Sequence, residues 1–128
     1  MNRVIDASAV LAVMLGEPGS SEVQWQLEGS MISSVNLSEV YRRLLDGEMP
    51  LADAVEEAGR FKMKPVPFDD AQACEAARLR PLTRHLGLSL ADRACLALAA
   101  LRDLAVLTAD RRMAESAEVL GLDIRMIR

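Results

Sequence analysis

Residues 3–13 read RVIDASAVLAV, a short apolar stretch interrupted by Asp6 and followed by a second, longer apolar run. Read as a strand over Val4-Ile5 and a helix from Ala7 to Leu15, the segment puts the aspartate on the junction. The same junction recurs at residues 104–116, LAVLTADRRMAES, where Leu104 to Thr108 is the clearest strand and Asp110 precedes a helix. Residues 32–45, ISSVNLSEVYRRLL, set Glu39 in the first turn of a helix, and residues 87–101, GLSLADRACLALAAL, do the same for Asp92. Strands separated by helices predict right-handed crossovers and a mostly parallel sheet. Such sheets take their ligands in the crevice beyond the carboxyl ends of the strands. Four acids delivered to that edge would make a compact negative site suited to a hard divalent cation.

The rest of the chain fits the same alternation. Gly16-Glu17-Pro18-Gly19 ends the first helix, and a second helix covers Ser20 to Leu27. Met31 to Ser33 reads as a strand. Leu37 to Asp46 is a helix with Leu37, Val40, Tyr41, Leu44 and Leu45 on one buried face. Gly47 and Pro50 separate it from a helix over Leu51 to Phe61. Lys64 to Phe68 is a strand whose two prolines confine it to a sheet edge. Asp69 caps a helix from Asp70 that Pro81 kinks or divides. Leu90 to Arg102 is a buried helix, Arg111 to Leu120 a helix ended by Gly121, and Asp123 to Ile127 a last strand. The expected fold is α/β: a three-layer α/β/α sandwich around a mostly parallel sheet of about five strands, formed by residues 1–128 as one domain.

Composition narrows the function classes. At 51% hydrophobic and 27% charged residues, the chain is globular rather than disordered. Aromatic residues are only 3%, too few for a base-stacking platform. The net charge is −4; setting the four junction acids aside leaves 15 charges of each sign. A polybasic DNA binder held by counterion release is therefore excluded, whereas an RNA substrate is compatible if metal ions neutralise the site. Cys74 and Cys95, both within helical patterns, read as buried free thiols of a cytoplasmic protein. No secretory signal is visible, and the run from Ala9 to Leu15 is far short of the ~20 residues a membrane span needs.

Each acid also has a structural role open to it. Asp6 and Asp110 are placed as helix N-caps, and Asn36…Glu39 and Ser89…Asp92 both have capping-box spacing. A helix dipole favours an anion in its first turn. Jointly, four carboxylates meeting at one sheet edge repel one another, so a counter-cation or raised pKa values are expected.

Taken in order, VIDASAVLA (residues 4–12), VNLSEV (35–40), LSLADRACLALA (88–99) and VLTAD (106–110) resemble the PIN-domain ribonucleases, within them most closely the VapC-type toxins of bacterial toxin–antitoxin pairs. The resemblance implies a PIN-like fold, with Asp6, Glu39, Asp92 and Asp110 as catalytic acids and Ser8 and Thr108 as supporting hydroxyls. It also implies hydrolysis of RNA phosphodiesters with Mg2+ or Mn2+, a cognate antitoxin laid along the toxin's groove, and a homodimer. Within what the resemblance implies, Asp6 and Asp92 are assigned as the nearest direct metal ligands and Asp110 as a ligand directly or through water, with Glu39 orienting or deprotonating the attacking water or holding a second ion. Arg93, Arg111 and Arg112 follow two of the acids and are candidate phosphate contacts.

Other residues carry less. His85 reads as a cation at a helix end, and Arg78, Arg80 and Arg84 as either a solvated face or an RNA path. Trp25 belongs to the core or to a partner surface. Two further functions compete: a catalytically silent PIN-like module that only binds RNA or protein, and an aspartyl-phosphate phosphatase built on Asp6. The phosphatase requires a second Asp where Ser8 stands and a positioned lysine, and the only lysines are Lys62 and Lys64.

Overall fold

Every strand that feeds the site is short because it ends on a polar side chain that starts the next helix. The computed structural model describes residues 2–127. Strand β1 is Val4–Ile5; the Asp6 carboxylate then accepts the backbone N–H of Ala9 and opens α1 (Ala7–Met14). Strand β2 (Met31–Ser33) ends on Ser33, whose hydroxyl accepts the N–H of Val35 and opens α3 (Ser34–Asp46). Strand β4 (Val106–Thr108) leads to Asp110, which accepts the N–H of Arg112 at the head of α7 (Arg111–Glu115). Such caps contribute about 1 kcal/mol each.

The remaining elements are α2 (Ser20–Val23), α4 (Leu51–Gly59), β3 (Lys64–Val66), α5 (Asp70–Thr83), α6 (Leu90–Arg102), α8 (Ala117–Leu120) and β5 (Ile124–Met126). All strand pairs are parallel, in the order β3-β2-β1-β4-β5. Pro65 lies in β3, at the sheet edge where its missing N–H is tolerated. The order reverses direction at β1: the chain first builds outward through β2 and β3, then returns to add β4 and β5 on the other side. The crevice beyond β1 and β4 is therefore the switch point of the sheet.

Alternation across β1 and β4 divides the core in two. Val4 and Val106 face Leu79, Leu88, Leu96, Leu98 and Met113, whereas Ile5 and Leu107 face Val10, Leu27, Ile32, Val40 and Ile127. Helices thus cover both faces, as a parallel sheet requires, giving the expected three layers. In α6, Ala94 to Ala99 are all buried, so its register is tightly fixed and with it the position of Asp92.

Several sequence expectations are corrected. Helix α3 starts three residues earlier than its hydrophobic face, so Asn36 is not its cap and Glu39 lies in its second turn. Pro81 does not divide α5, which continues to Thr83. The helix over 20–27 is α2 followed by a 3-10 turn, Gln24–Gln26. The helix over 111–120 breaks at Ser116, whose hydroxyl donates to the Met113 carbonyl. Cys74 is exposed rather than buried, because α5 buries Gln72, Ala76, Leu79 and Thr83, a stripe that skips it.

Candidate functional site

The first acid is the most constrained. Asp6 is 4% exposed. Its Oδ1 accepts the Ser8 hydroxyl at 2.7 Å and the Ala9 N–H at 3.1 Å, while Oδ2 accepts the Thr108 hydroxyl at 2.8 Å. Ser8 Oγ also accepts the Ala109 N–H at 2.9 Å, and Thr108 Oγ1 accepts the Asp110 N–H at 2.9 Å. Two hydroxyls thus tie the end of β1 to the end of β4 and fix the Asp6 carboxyl between them. Burial pushes that carboxyl from 3.8 up to about 6, and the charge of Asp92 adds to the rise; the hydrogen bonds from Ser8, Thr108 and Ala9 oppose it.

Asp92 and Glu39 approach from α6 and α3. Asp92 completes a capping box with Ser89: its Oδ2 accepts the Ser89 N–H at 2.9 Å, and the Ser89 hydroxyl accepts the Asp92 N–H. Glu39 Oε2 accepts from Asn36 Nδ2 at 3.2 Å, and the same nitrogen donates to the Ala91 carbonyl at 3.0 Å. Asp110 Oδ1 is occupied by its cap and Oδ2 lies 3.4 Å from the Arg112 guanidinium. Beneath these acids sits the buried Cys95, one helical turn after Asp92. Burial pushes its thiol well above the usual value, with Asp6, Asp92 and Glu39 adding to the effect. That thiol is chemically inert.

The four expected acids meet in one cleft of about 400 Å³ at the switch point, lined by Asp6, Ser8, Asn36, Glu39, Asp92 and Asp110 together with a further acid, Glu17, that sequence reasoning misses, and with apolar and basic side chains. All four acids and Ser8, each expected from the sequence, therefore share one site, with Thr108 buried directly behind Asp6. Among the described residues no three Asp, Glu, His or Cys side chains are gathered so as to hold a metal ion as they stand. The donors are nonetheless all hard oxygens, and Mg2+ commonly takes one or two carboxylates and keeps several waters. The donor set fits such an ion.

The arginines divide differently from expectation. Arg93 does not serve the cleft: its guanidinium donates to the Ala76 carbonyl at 2.9 Å and clamps α6 to α5. One residue beyond Asp92 is about 100° around the helix, which turns it away. Arg111 is absent from the cleft wall, and Arg112 reaches it only through Asp110. The basic residues on the wall are Arg42 and Arg43. Sequence reasoning misses them, although they lie three and four residues after Glu39, the spacing that puts side chains on one helix face. Asn36, three residues before Glu39, reads in the sequence only as a cap. Lys62 and Lys64 precede or open β3, at the opposite end of the parallel sheet from the acids, so no lysine serves Asp6.

The family model described as the PIN domain matches residues 3–119. The chain belongs to the PIN-domain family. No curated protein matches this PIN domain, but solved structures do. It is similar to a chain of a toxin–antitoxin complex from Klebsiella pneumoniae, with a TM-score of 0.76, 15% identity and 98% of each chain covered. A chain of DNA-bound VapBC from Salmonella typhimurium gives 0.73 at 19% identity over 100% of both chains. One from VapBC-1 of nontypeable Haemophilus influenzae gives 0.74 at 10% identity, over 99% of this chain and 98% of that one. At these identities the likeness is one of fold.

Proposed function

We propose that this PIN domain is an Mg2+- or Mn2+-dependent endoribonuclease and the toxin of a toxin–antitoxin pair. The observation that carries the reading is the meeting of Asp6, Glu39, Asp92 and Asp110 in one cleft at the switch point of the sheet. Family membership supports nuclease chemistry. The similar structures from Klebsiella and Salmonella, a toxin–antitoxin complex and a VapBC assembly, support the partner.

Asp6 and Asp92 would hold the cation, and Asp110 would join them, directly or through water, on leaving Arg112. A bound ion of this kind supplies Lewis acidity at the scissile phosphate and offsets charge on the leaving oxygen. The chain's own groups do the rest. Ser8 and Thr108 keep Asp6 aimed across the cleft. Glu39 orients the attacking water and takes its proton on a carboxylate oxygen. Arg42 and Arg43 meet backbone phosphates at the rim, and the freed Arg112 adds a third positive charge. The antitoxin opposes RNA by presenting positive charge to the same carboxylates. A homodimer belongs to this reading, and no helix among the described residues is long and apolar enough to cross a membrane.

Cleavage of total RNA by Asp6→Asn and Asp92→Asn tests the assignment. Both variants are expected to lose at least about a hundredfold in rate, within the range general acid–base and electrostatic groups contribute. Cleavage at the wild-type rate by both would refute it.

A further inference from the structure

Asn36 is a costly residue for the place it occupies. It lies inside α3 and is 1% exposed, a setting where asparagine is a poor helix former. Its two amide hydrogens are both used, one on Glu39 Oε2 and one on the Ala91 carbonyl. Both of those partners only accept, so the amide is oriented unambiguously, with its nitrogen toward Glu39 and the Ala91 carbonyl. The amide oxygen, Asn36 Oδ1, is buried and meets no hydrogen-bond donor among the described residues. A buried oxygen left without a donor costs about 1–3 kcal/mol, and native folds keep few of them without a reason.

The position of Asn36 supplies a reason. The side chain lines the same cleft as the four acids. Its nitrogen links the carboxylate of Glu39, on α3, to the peptide immediately before Asp92, on α6, and so sets the spacing of those two acids. Its oxygen is neutral, hard and dehydrated, a donor that suits Mg2+ or Mn2+ as well as a carboxylate oxygen does but adds no repulsion.

We propose that Asn36 is a fifth member of the cleft: a positioning residue that holds Glu39 against Asp92, and a neutral oxygen donor to the divalent cation or its hydration shell. The inference rests on the cation-dependent reading above. It predicts that the amide stabilises the loaded protein at the expense of the empty one. An apolar residue of similar volume would remove the orphaned oxygen but also take the donor from the Ala91 carbonyl and Glu39; the two effects, about 1–3 kcal/mol each, offset one another and leave the metal-free fold about as stable.

The test is Mn2+ titration by calorimetry on wild type, Asn36→Leu and Asn36→Ser, with melting temperatures recorded in chelator and in Mn2+. Wild type is expected to take up Mn2+ and to melt higher with it. Asn36→Leu is expected to melt within a few degrees of wild type in chelator, to bind Mn2+ at least about tenfold more weakly, and to lose most of the Mn2+-dependent rise. Asn36→Ser, which keeps one oxygen and one donor, is expected to fall between them. The serine variant also decides the matter if the leucine variant does not fold: wild-type affinity in Asn36→Ser together with a lower melting temperature in chelator overturns the proposal. Equal Mn2+ affinity in wild type and Asn36→Leu overturns this inference and leaves the cation-dependent reading standing. A wild-type chain that takes up no Mn2+ overturns both.

Discussion

Removing the charge of Asp6 is expected to stabilise the metal-free protein at neutral pH while abolishing activity. The Asp6 carboxyl is raised from 3.8 to about 6 in the fold, chiefly by burial. Between those values the folded chain retains a proton that the unfolded chain has released, so stability falls as pH rises through the window. Below 3.8 both states are protonated and the penalty vanishes; above about 6 it is fully present. At about 1.36 kcal/mol per pH unit, the full penalty is about 3 kcal/mol. Asp6→Asn escapes it and keeps an acceptor for the Ala9 N–H, but its new amide hydrogens must find a partner beside Thr108. Allowing about 1 kcal/mol for that mismatch leaves a net gain of about 1–3 kcal/mol near neutral pH. For a chain of this size that is a rise of about 4–10 °C in melting temperature. The assay is a pair of thermal melts in chelator, at about pH 7.5 and about pH 4, on either side of the titration window. A gain at the higher pH that disappears at the lower one is expected. An unchanged or lowered melting temperature for the variant at the higher pH would refute the claim that burial strains the Asp6 charge.

Three further outcomes follow from particular residues. Leu96→Ala, at a fully buried position of α6, is expected to cost about 2–5 kcal/mol in denaturant unfolding, whereas Leu96→Met costs less than about 1.5 kcal/mol. Charge reversal at Arg42 and Arg43 is expected to raise KM for RNA with little change in kcat. It should also flatten the salt dependence of binding, by about 0.7 in log–log slope for each single-strand phosphate no longer neutralised. Trp25→Ala is expected to change stability by less than about 0.5 kcal/mol, because the side chain is 81% exposed; a larger drop in stability would assign Trp25 to the core.

The acids could be read from the sequence because each marks a punctuation point of the chain. Asp6 and Asp110 stop a strand and start a helix, and Asp92 completes a capping box with Ser89. Their convergence then follows from parallel strands and from the reversal of strand order at β1. Local reasoning failed where several residues compete for one role. Ser33, Ser34 and Asn36 could each cap α3, and the pairing of β2 with its neighbours decides for Ser33 by ending the strand there. The same ambiguity hid Asn36, whose importance lies in a hydrogen bond to a residue 55 positions away, at the Ala91 carbonyl. Arg93 misled because adjacency in sequence is not adjacency on a helix, and the carbonyl it reaches belongs to α5. Arg42 and Arg43 were legible from helical spacing alone, once Glu39 is taken as the reference.

The most direct test of a cation site at the switch point is anomalous diffraction from crystals soaked in Mn2+. A manganese peak is expected in the cleft between Asp6 and Asp92, with Asp110 turned toward it and away from Arg112. Manganese bound only elsewhere, or a cleft that stays empty at millimolar Mn2+, would contradict the cation-dependent mechanism.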